Sequence, residues 1–186
     1  RVIRALGAEK TGDRTARVPK GATPKDTAEE EGSTDAPSPP DDGDEGQADR
    51  PVIISTDGAC KHETDAGGWA AVLHFPDSTK TIRGRRRETT SNRMELLAII
   101  KALQQFPDGV EPLVRSDSEY AIGVVDGGYT AKANRDLVEE ARAEAERVEA
   151  SFKHVRAHHG DPDNEAADQA AGAEAQALHD RIMARD

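Results

Sequence analysis

Two patterns of apolar positions run along the chain from residue 51 onward. The segments "PVIIST", "GGWAAVLHF" and "KTIRGRRRE" are strand-like, and the turn signal "PDS" after the second predicts that the last two form an antiparallel hairpin. In "NRMELLAIIKALQQF", apolar residues recur at every third position, at Met94, Leu97, Ile100 and Leu103. This spacing predicts an amphipathic helix.

The remainder of the chain alternates helices and strands. Its patterns predict a strand at "EPLVRS", a short helix at "DSEYAIGVV", a long helix at "NRDLVEEARAEAERVEA", a strand at "SFKHVRA" and a closing helix at "DNEAADQAAGAEAQALHDRIMAR". Three strands followed by this alternation favour an α/β fold. We therefore predict a mixed five-stranded sheet, with three antiparallel strands and then parallel strands, flanked by helices.

The first fifty residues have a different composition. They contain four large aliphatic side chains and no aromatic one, and their second half is acidic and rich in Pro, Gly and Ser. Such a segment cannot bury enough apolar surface to offset the entropy lost on ordering. We predict that residues 1–50 form a disordered tail or linker, through which an additional domain or partner could be attached. Residues 51–186 are predicted to form the folded domain.

The charge balance bears on possible partners. Residues 51–186 carry 17 Lys and Arg against 24 Asp and Glu, a net charge of −7. This excludes a globally basic surface, so a nucleic acid would need a local basic patch. The segment "RGRRRETTSNR" is the densest candidate, and its arginines could instead protect the edge of a sheet from pairing.

The sequence carries no signal for a membrane or an oxidising compartment. No stretch approaches the roughly 18 apolar residues of a membrane helix. A single cysteine, Cys60, excludes an intramolecular disulfide. We expect a monomer in the cytoplasm, without a membrane partner.

Two aspartates follow strand-like segments. Asp57 comes after "PVIIST", and Asp117 comes after "EPLVRS". In open α/β sheets, ligands bind beyond the carboxyl ends of strands, where two carboxylates repel each other unless a cation lies between them. Either aspartate alone could cap a helix or form a turn. The pair favours a metal site.

Glu95, near the start of the predicted helix, admits two roles. Asn92-x-x-Glu95 has the spacing of a capping box, in which Glu95 bonds back to a backbone N–H. Its position between Met94 and Leu96 could also direct it toward the sheet. The sequence leaves both roles open.

A cluster of titratable residues lies in "HVRAHHGDPDNEAADQAA". Its members are His158, His159, Asp161, Asp163, Glu165 and Asp168. A calcium loop is excluded, because Ala166 stands where such a loop needs glycine and Gly172 where it needs glutamate. Zinc prefers nitrogen and sulfur ligands, whereas scattered carboxylates suit Mg²⁺ or Mn²⁺. Asp168 lies in an alanine-rich helix, which can pack close to a sheet.

Four segments together resemble the signature blocks of the type 1 ribonuclease H family. They are "STDGAC", "TTSNRMELLAIIKAL", "VRSDSEYAIG" and "HVRAHHGDPDNEAADQAA", in the family's order and spacing. The resemblance runs from about Val52 to Ala171. It implies a ribonuclease H-like fold and an endonuclease that hydrolyses the RNA strand of RNA–DNA hybrids, leaving 5′-phosphate and 3′-hydroxyl ends.

The resemblance also implies roles for individual residues. Two Mg²⁺ ions, or Mn²⁺, would be held by Asp57, Glu95, Asp117 and Asp168. His158 would help to move protons or release product. The substrate would be contacted at Cys60, Glu63, Thr90, Asn92 and Glu119.

Two departures from the family pattern change the expectation. Glu63 and Glu119 stand where better-studied members carry amides, and the chain between Tyr120 and Asn134 is too short for a basic handle. We therefore expect weak, salt-sensitive binding of the hybrid. The alternatives are a non-catalytic nucleic-acid-binding module, or a nuclease of other specificity, on the same fold.

Overall fold

The computed structural model describes residues 51–156 and 161–185, and these residues form five strands and four helices. The predicted tail, His158 and His159 lie outside the described residues. Along the chain the elements are β1 (Ile53–Lys61), β2 (Ala66–Phe75), β3 (Ser78–Arg86), α1 (Ser91–Leu103), β4 (Leu113–Ser116), α2 (Glu119–Val125), α3 (Arg135–Val148), β5 (Ser151–His154) and α4 (Pro162–Met183).

The strands form one sheet in the order β3-β2-β1-β4-β5. β1 and β3 each pair antiparallel with β2, whereas β4 pairs parallel with both β1 and β5. This is the mixed five-stranded sheet predicted from the order of the elements, and that prediction is confirmed. Among the described residues, no helix is both long enough and apolar enough to cross a membrane.

The prediction that Asp57 ends its strand is wrong. β1 continues to Lys61, because its second half pairs with β2, with Asp57 opposite Ala70 and Lys61 opposite Ala66. The parallel pairing with β4 stops earlier, at Thr56 opposite Ser116. Asp57 therefore lies within a strand but immediately beyond the parallel pairing, and Asp117 follows the end of β4.

The two faces of the sheet are packed differently. Successive residues of β2 point to opposite faces, so Ala70 and Ala71 belong to different packing layers. On one face, large aliphatic side chains of α1 bury against the sheet and those of α3 pack on α1, among them Leu96, Ile99, Leu103 and Val138. Each such fully buried side chain stabilises the folded protein by about 1.5–3 kcal/mol.

On the other face, α4 packs through small residues. Ala170 and Ala171 contact Ala70 and Ala59. A Cβ at Gly68 would collide with the backbone carbonyl of Ala171. The alanine-rich helix therefore lies close to the sheet, as expected, and carries its polar residues near the sheet surface.

The start of α1 settles the question left open for Glu95. Thr90, and not Asn92, is the N-cap residue, and its side chain accepts a hydrogen bond from the backbone N–H of Arg93 at 3.4 Å. Glu95 instead accepts a hydrogen bond from the backbone N–H of Gly58 in β1. The capping-box alternative is therefore wrong.

Candidate metal centre

Three carboxylates converge at the end of the parallel pairing. Asp57 comes from β1, Glu95 from the first turns of α1 and Asp117 from the residue after β4. One oxygen of each lies within 4.8 Å of the others. Residues from three separate elements meet here because β1 and β4 are neighbours in the sheet and α1 packs on β1.

The approach of α1 to β1 depends on glycine. A Cβ at position 58 would collide with the backbone of Met94 and Glu95. The absent side chain lets the backbones of strand and helix meet directly, which brings the Glu95 carboxyl to Asp57. The absence of a side chain at Gly58 thus allows α1 to pack directly on β1.

Glu95 and Asp57 are only 8% and 6% exposed. Burial, as the largest cause, and the negative charges of Asp57, Asp117 and Asp168 together raise the pKa of Glu95 to about 9, against the opposing effect of the hydrogen bond from Gly58. Without a cation, Glu95 therefore keeps its proton at neutral pH, because a third buried negative charge is too costly. A divalent cation would reverse this balance and favour the ionised form.

The residues present fit a hard divalent cation. Their ligand atoms are all carboxylate oxygens, which Mg²⁺ and Mn²⁺ prefer. The Oε2 atom of Glu95 is buried and has no hydrogen-bond partner among the described residues. A buried oxygen of this kind is costly unless a ligand satisfies it.

Asp168 lies on α4, which packs on the face of the sheet opposite α1. It is exposed and does not belong to the group whose oxygens lie within 4.8 Å of one another. Its charge nevertheless raises the pKa of Glu95, so the two carboxyls are close enough to interact. Asp168 can therefore extend the cluster toward solvent.

Sequence reasoning missed two side chains that contact Asp117. Asn164 of α4 is 3% exposed, and its Nδ2 donates a hydrogen bond to Asp117 Oδ2 at 3.5 Å. His154 of β5 places its Nε2 3.1 Å from the backbone carbonyl of Asp117. The spacing of Asn164 to Asp168 places both on the same side of α4, but it does not show that Asn164 contacts Asp117.

Comparison with known proteins identifies the family. A family model described as RNase H matches residues 49–176, most of the chain. The chain belongs to the RNase H family. The enzyme class predicted from the sequence, a ribonuclease H, is thereby confirmed.

Two relatives in the RNase H family illustrate the extent of the match. The chain is 37% identical over 133 residues to a ribonuclease H of Marinobacter nauticus, covering 64% of this chain and 90% of that protein. It is 38% identical over 140 residues to a ribonuclease H of Acidiphilium cryptum, covering 68% and 88%. These alignments span most of each relative.

Two solved structures share the fold. One is the N-terminal RNase H domain of a Mycobacterium tuberculosis protein, with a TM-score of 0.62 at 20% identity, covering 70% of this chain and 97% of that one. The other is RNase H1 from Halobacterium salinarum, with a TM-score of 0.58 at 22% identity, covering 67% and 97%. Both likenesses support the RNase H fold.

Of the residues expected to contact the substrate of an RNase H, two are tied into the protein. The Cys60 thiol donates to the Thr89 carbonyl at 3.4 Å, and burial, followed by the charge of Asp65, raises its pKa. Thr90 caps α1. Cys60 is therefore a neutral thiol that holds the segment before α1 against β1.

The other three expected contacts reach solvent. Asn92 is exposed in the first turn of α1, and Glu119 is exposed in the first turn of α2, two residues after Asp117. Glu63 lies in the turn between β1 and β2, where its Oε2 is 4.0 Å from Nε2 of His179. None of these three side chains belongs to the group of convergent carboxylates.

Several arginines of the segment "RGRRRETTSNR" form ion pairs with acids of α3 and α4. β3 is an edge strand, and Arg83 and Arg85 on it lie 3.4 Å from the carboxylate of Glu174 in α4. Arg93 pairs with Asp136 of α3 at 2.7 Å. Much of the segment therefore joins elements of the RNase H domain to one another, and its positive charge is partly compensated.

Proposed function

We propose that this chain hydrolyses the RNA strand of RNA–DNA hybrids with the help of two divalent cations, Mg²⁺ or Mn²⁺. The observation that carries the proposal is the convergence of Asp57, Glu95 and Asp117 from three elements, with Glu95 held protonated by burial and by its neighbours. Such a cluster is costly without a cation and well suited to one.

The protein's own part in the reaction is to assemble the ligands. Asp57, Glu95 and Asp117 would hold the cations, and Asp168 would complete the set from α4. Cations held by these residues would supply a lowered pKa for an attacking water and stabilisation of the charge on the leaving 3′ oxygen. The products would carry 5′-phosphate and 3′-hydroxyl ends. His158, which lies outside the described residues, is proposed to move protons or release product.

Substrate selection is proposed to rest on the residues around the cluster. Glu63 and Glu119 can each accept a hydrogen bond from a 2′-hydroxyl, the group that distinguishes RNA from DNA. Cys60 would position the nearby backbone. Thr90 and Asn92 lie at the start of α1, where backbone N–H groups and the helix dipole favour a phosphate of the DNA strand.

A labelled hybrid tests the activity directly. The chain is incubated with an RNA–DNA hybrid, a DNA duplex and an RNA duplex, each with Mg²⁺ or Mn²⁺. We expect cleavage of the RNA strand in the hybrid alone, and Asp57→Asn should abolish it without preventing folding. Cleavage of all three duplexes, or of none with either ion, would refute the proposal.

A non-catalytic nucleic-acid-binding module on the same fold is the weaker candidate. Such a module would gain nothing from three buried or half-buried carboxylates within 4.8 Å of one another. Their mutual repulsion lowers stability unless a cation offsets it. Hybrid binding without cleavage in the assay above would favour the module.

The organisation of the chain also stays a prediction. We propose that residues 51–186 fold and act alone as a monomer in the cytoplasm, with residues 1–50 as a linker to another domain or partner. Deleting residues 1–50 should then leave the melting temperature and the hybrid-cleavage rate unchanged. Gel filtration of both forms would give the oligomeric state.

A further inference from the structure

The first turn of α4 is joined to the end of β4 by two links. Asp161, the N-cap residue of α4, accepts hydrogen bonds from the backbone N–H groups of Asp163 at 3.2 Å and Asn164 at 3.3 Å. The same Asp161 forms an ion pair with Arg115 of β4. The second link is the hydrogen bond from Asn164 to Asp117. The start of α4 is therefore fixed relative to one of the convergent carboxylates.

Stability alone does not explain an asparagine at position 164. Its side chain is almost fully buried, and its Oδ1 has no hydrogen-bond partner among the described residues. An unpaired buried polar atom destabilises a fold, so an apolar side chain of similar size would be tolerated there at least as well. The other half of the amide, Nδ2, contacts Asp117.

A neutral donor suits the position next to Asp117. Asp117 is the least buried of the three convergent acids, and repulsion from the Asp57 carboxylate would turn the Asp117 carboxylate toward solvent. An arginine or lysine could hold it back, but the added positive charge would compete with a cation. An amide N–H holds the carboxylate without adding charge.

We propose that Asn164 is a positioning residue: it holds Asp117 Oδ2 so that the three carboxylates stay convergent before a cation binds. The inference deepens the proposed function, on which it rests, because it takes the cluster to be the cation site. Orienting groups behind metal ligands commonly change metal affinity by about 10- to 100-fold when they are removed.

The test uses Mn²⁺ as the probe and calorimetric titration of the full chain as the readout. Asn164→Ala and Asn164→Leu remove the donor with opposite changes in side-chain size. Gln176→Ala is the matched control, since Gln176 also donates from α4 to a carboxylate, that of Asp180 at 2.7 Å, but is exposed. Melting temperatures are measured in the presence of a chelator.

We expect both Asn164 variants to raise the Kd for Mn²⁺ by about 10-fold or more. The melting temperature of Asn164→Leu without metal should equal or exceed that of the parent, whereas Asn164→Ala can lose some stability to the cavity that it leaves. The control should change neither quantity. Unchanged Kd values in both variants would overturn the inference, as would a loss of stability without a loss of affinity. If one variant does not fold, the other decides.

The titration also separates this inference from the proposed function. A parent chain that binds Mn²⁺ no better than Asp57→Asn does would overturn the proposed cation site, and the role of Asn164 would fall with it. A parent that binds Mn²⁺ more tightly than Asp57→Asn, but no more tightly than the Asn164 variants, would overturn the role of Asn164 alone.

Discussion

Replacing Glu95 with glutamine should change how the stability of the metal-free protein depends on pH. Burial raises the pKa of Glu95 from its ordinary 4.5 to about 9, and the charges of neighbouring aspartates contribute. Between these two values the folded protein keeps a proton that the unfolded chain has released. The stabilisation by Glu95 is therefore fully present below pH 4.5 and is lost as the pH rises toward 9.

The size of the effect follows from the proton count. A difference of one bound proton changes the free energy of unfolding by about 1.4 kcal/mol per pH unit. From pH 5 to pH 8 the parent should lose up to about 4 kcal/mol relative to Glu95→Gln. The glutamine keeps an acceptor for the N–H of Gly58 but does not titrate.

Urea unfolding at pH 5, 6, 7 and 8 in the presence of a chelator measures this difference. The stability of the parent minus that of Glu95→Gln should fall steadily across the series. Glu146→Gln, at an exposed position on α3, is the control and should leave the pH dependence of the parent unchanged. If the curves of the parent and Glu95→Gln stay parallel, the reasoning from burial and repulsion is refuted.

Three further predictions follow from the same geometry. Mn²⁺ should bind more tightly as the pH rises from 6 to 8, with about one proton released per protein. Calorimetry in buffers of different ionisation enthalpy would detect the released proton. Binding that does not depend on pH would contradict the raised pKa of Glu95. Gly58→Ala should lower the free energy of unfolding by about 2 kcal/mol or more, because its Cβ meets the backbone of α1. The control Gly172→Ala, whose Cβ meets nothing within 4 Å, should raise the free energy of unfolding by up to about 1 kcal/mol. Equal effects of the two substitutions in urea unfolding would show that the close contact at Gly58 does not determine stability. Raising the salt concentration from 50 to 200 mM should increase the KM for the hybrid by at least about 10-fold. The reason is that the domain's net charge of −7 leaves binding of the hybrid to a few Lys and Arg side chains. A constant KM would exclude that mode of binding.

The sequence allowed the fold and part of the site to be predicted because those features depend on local patterns. Short apolar runs and the turn signals between them identified the strands, and the acids after two of them pointed to Asp57 and Asp117. Both of these acids belong to the convergent group. The full length of β1 was missed, because residues beyond Asp57 are held in the strand by pairing with β2, which is a contact between segments.

The roles of Glu95 and Asn164 could not be read from local sequence. Glu95 has the same spacing to Asn92 whether it caps the helix or faces the sheet, and only the close contact at Gly58 decides between them. Asn164 stands among acids in a helix that begins with several polar residues. Its importance appears only when α4 is packed and its amide reaches Asp117.

The direct contact between β1 and α1 at Gly58 bears on which ions the protein can accept. The walls beside Asp57 and Glu95 are two packed backbones, so the gap between these carboxylates cannot widen without shifting a whole helix. Ca²⁺ requires oxygen distances of about 2.3–2.6 Å and more ligands, whereas Mg²⁺ requires about 2.0–2.1 Å. We therefore expect the site to discriminate between Mg²⁺ and Ca²⁺ by ionic radius, because the absence of a Cβ at Gly58 keeps the two backbones in contact.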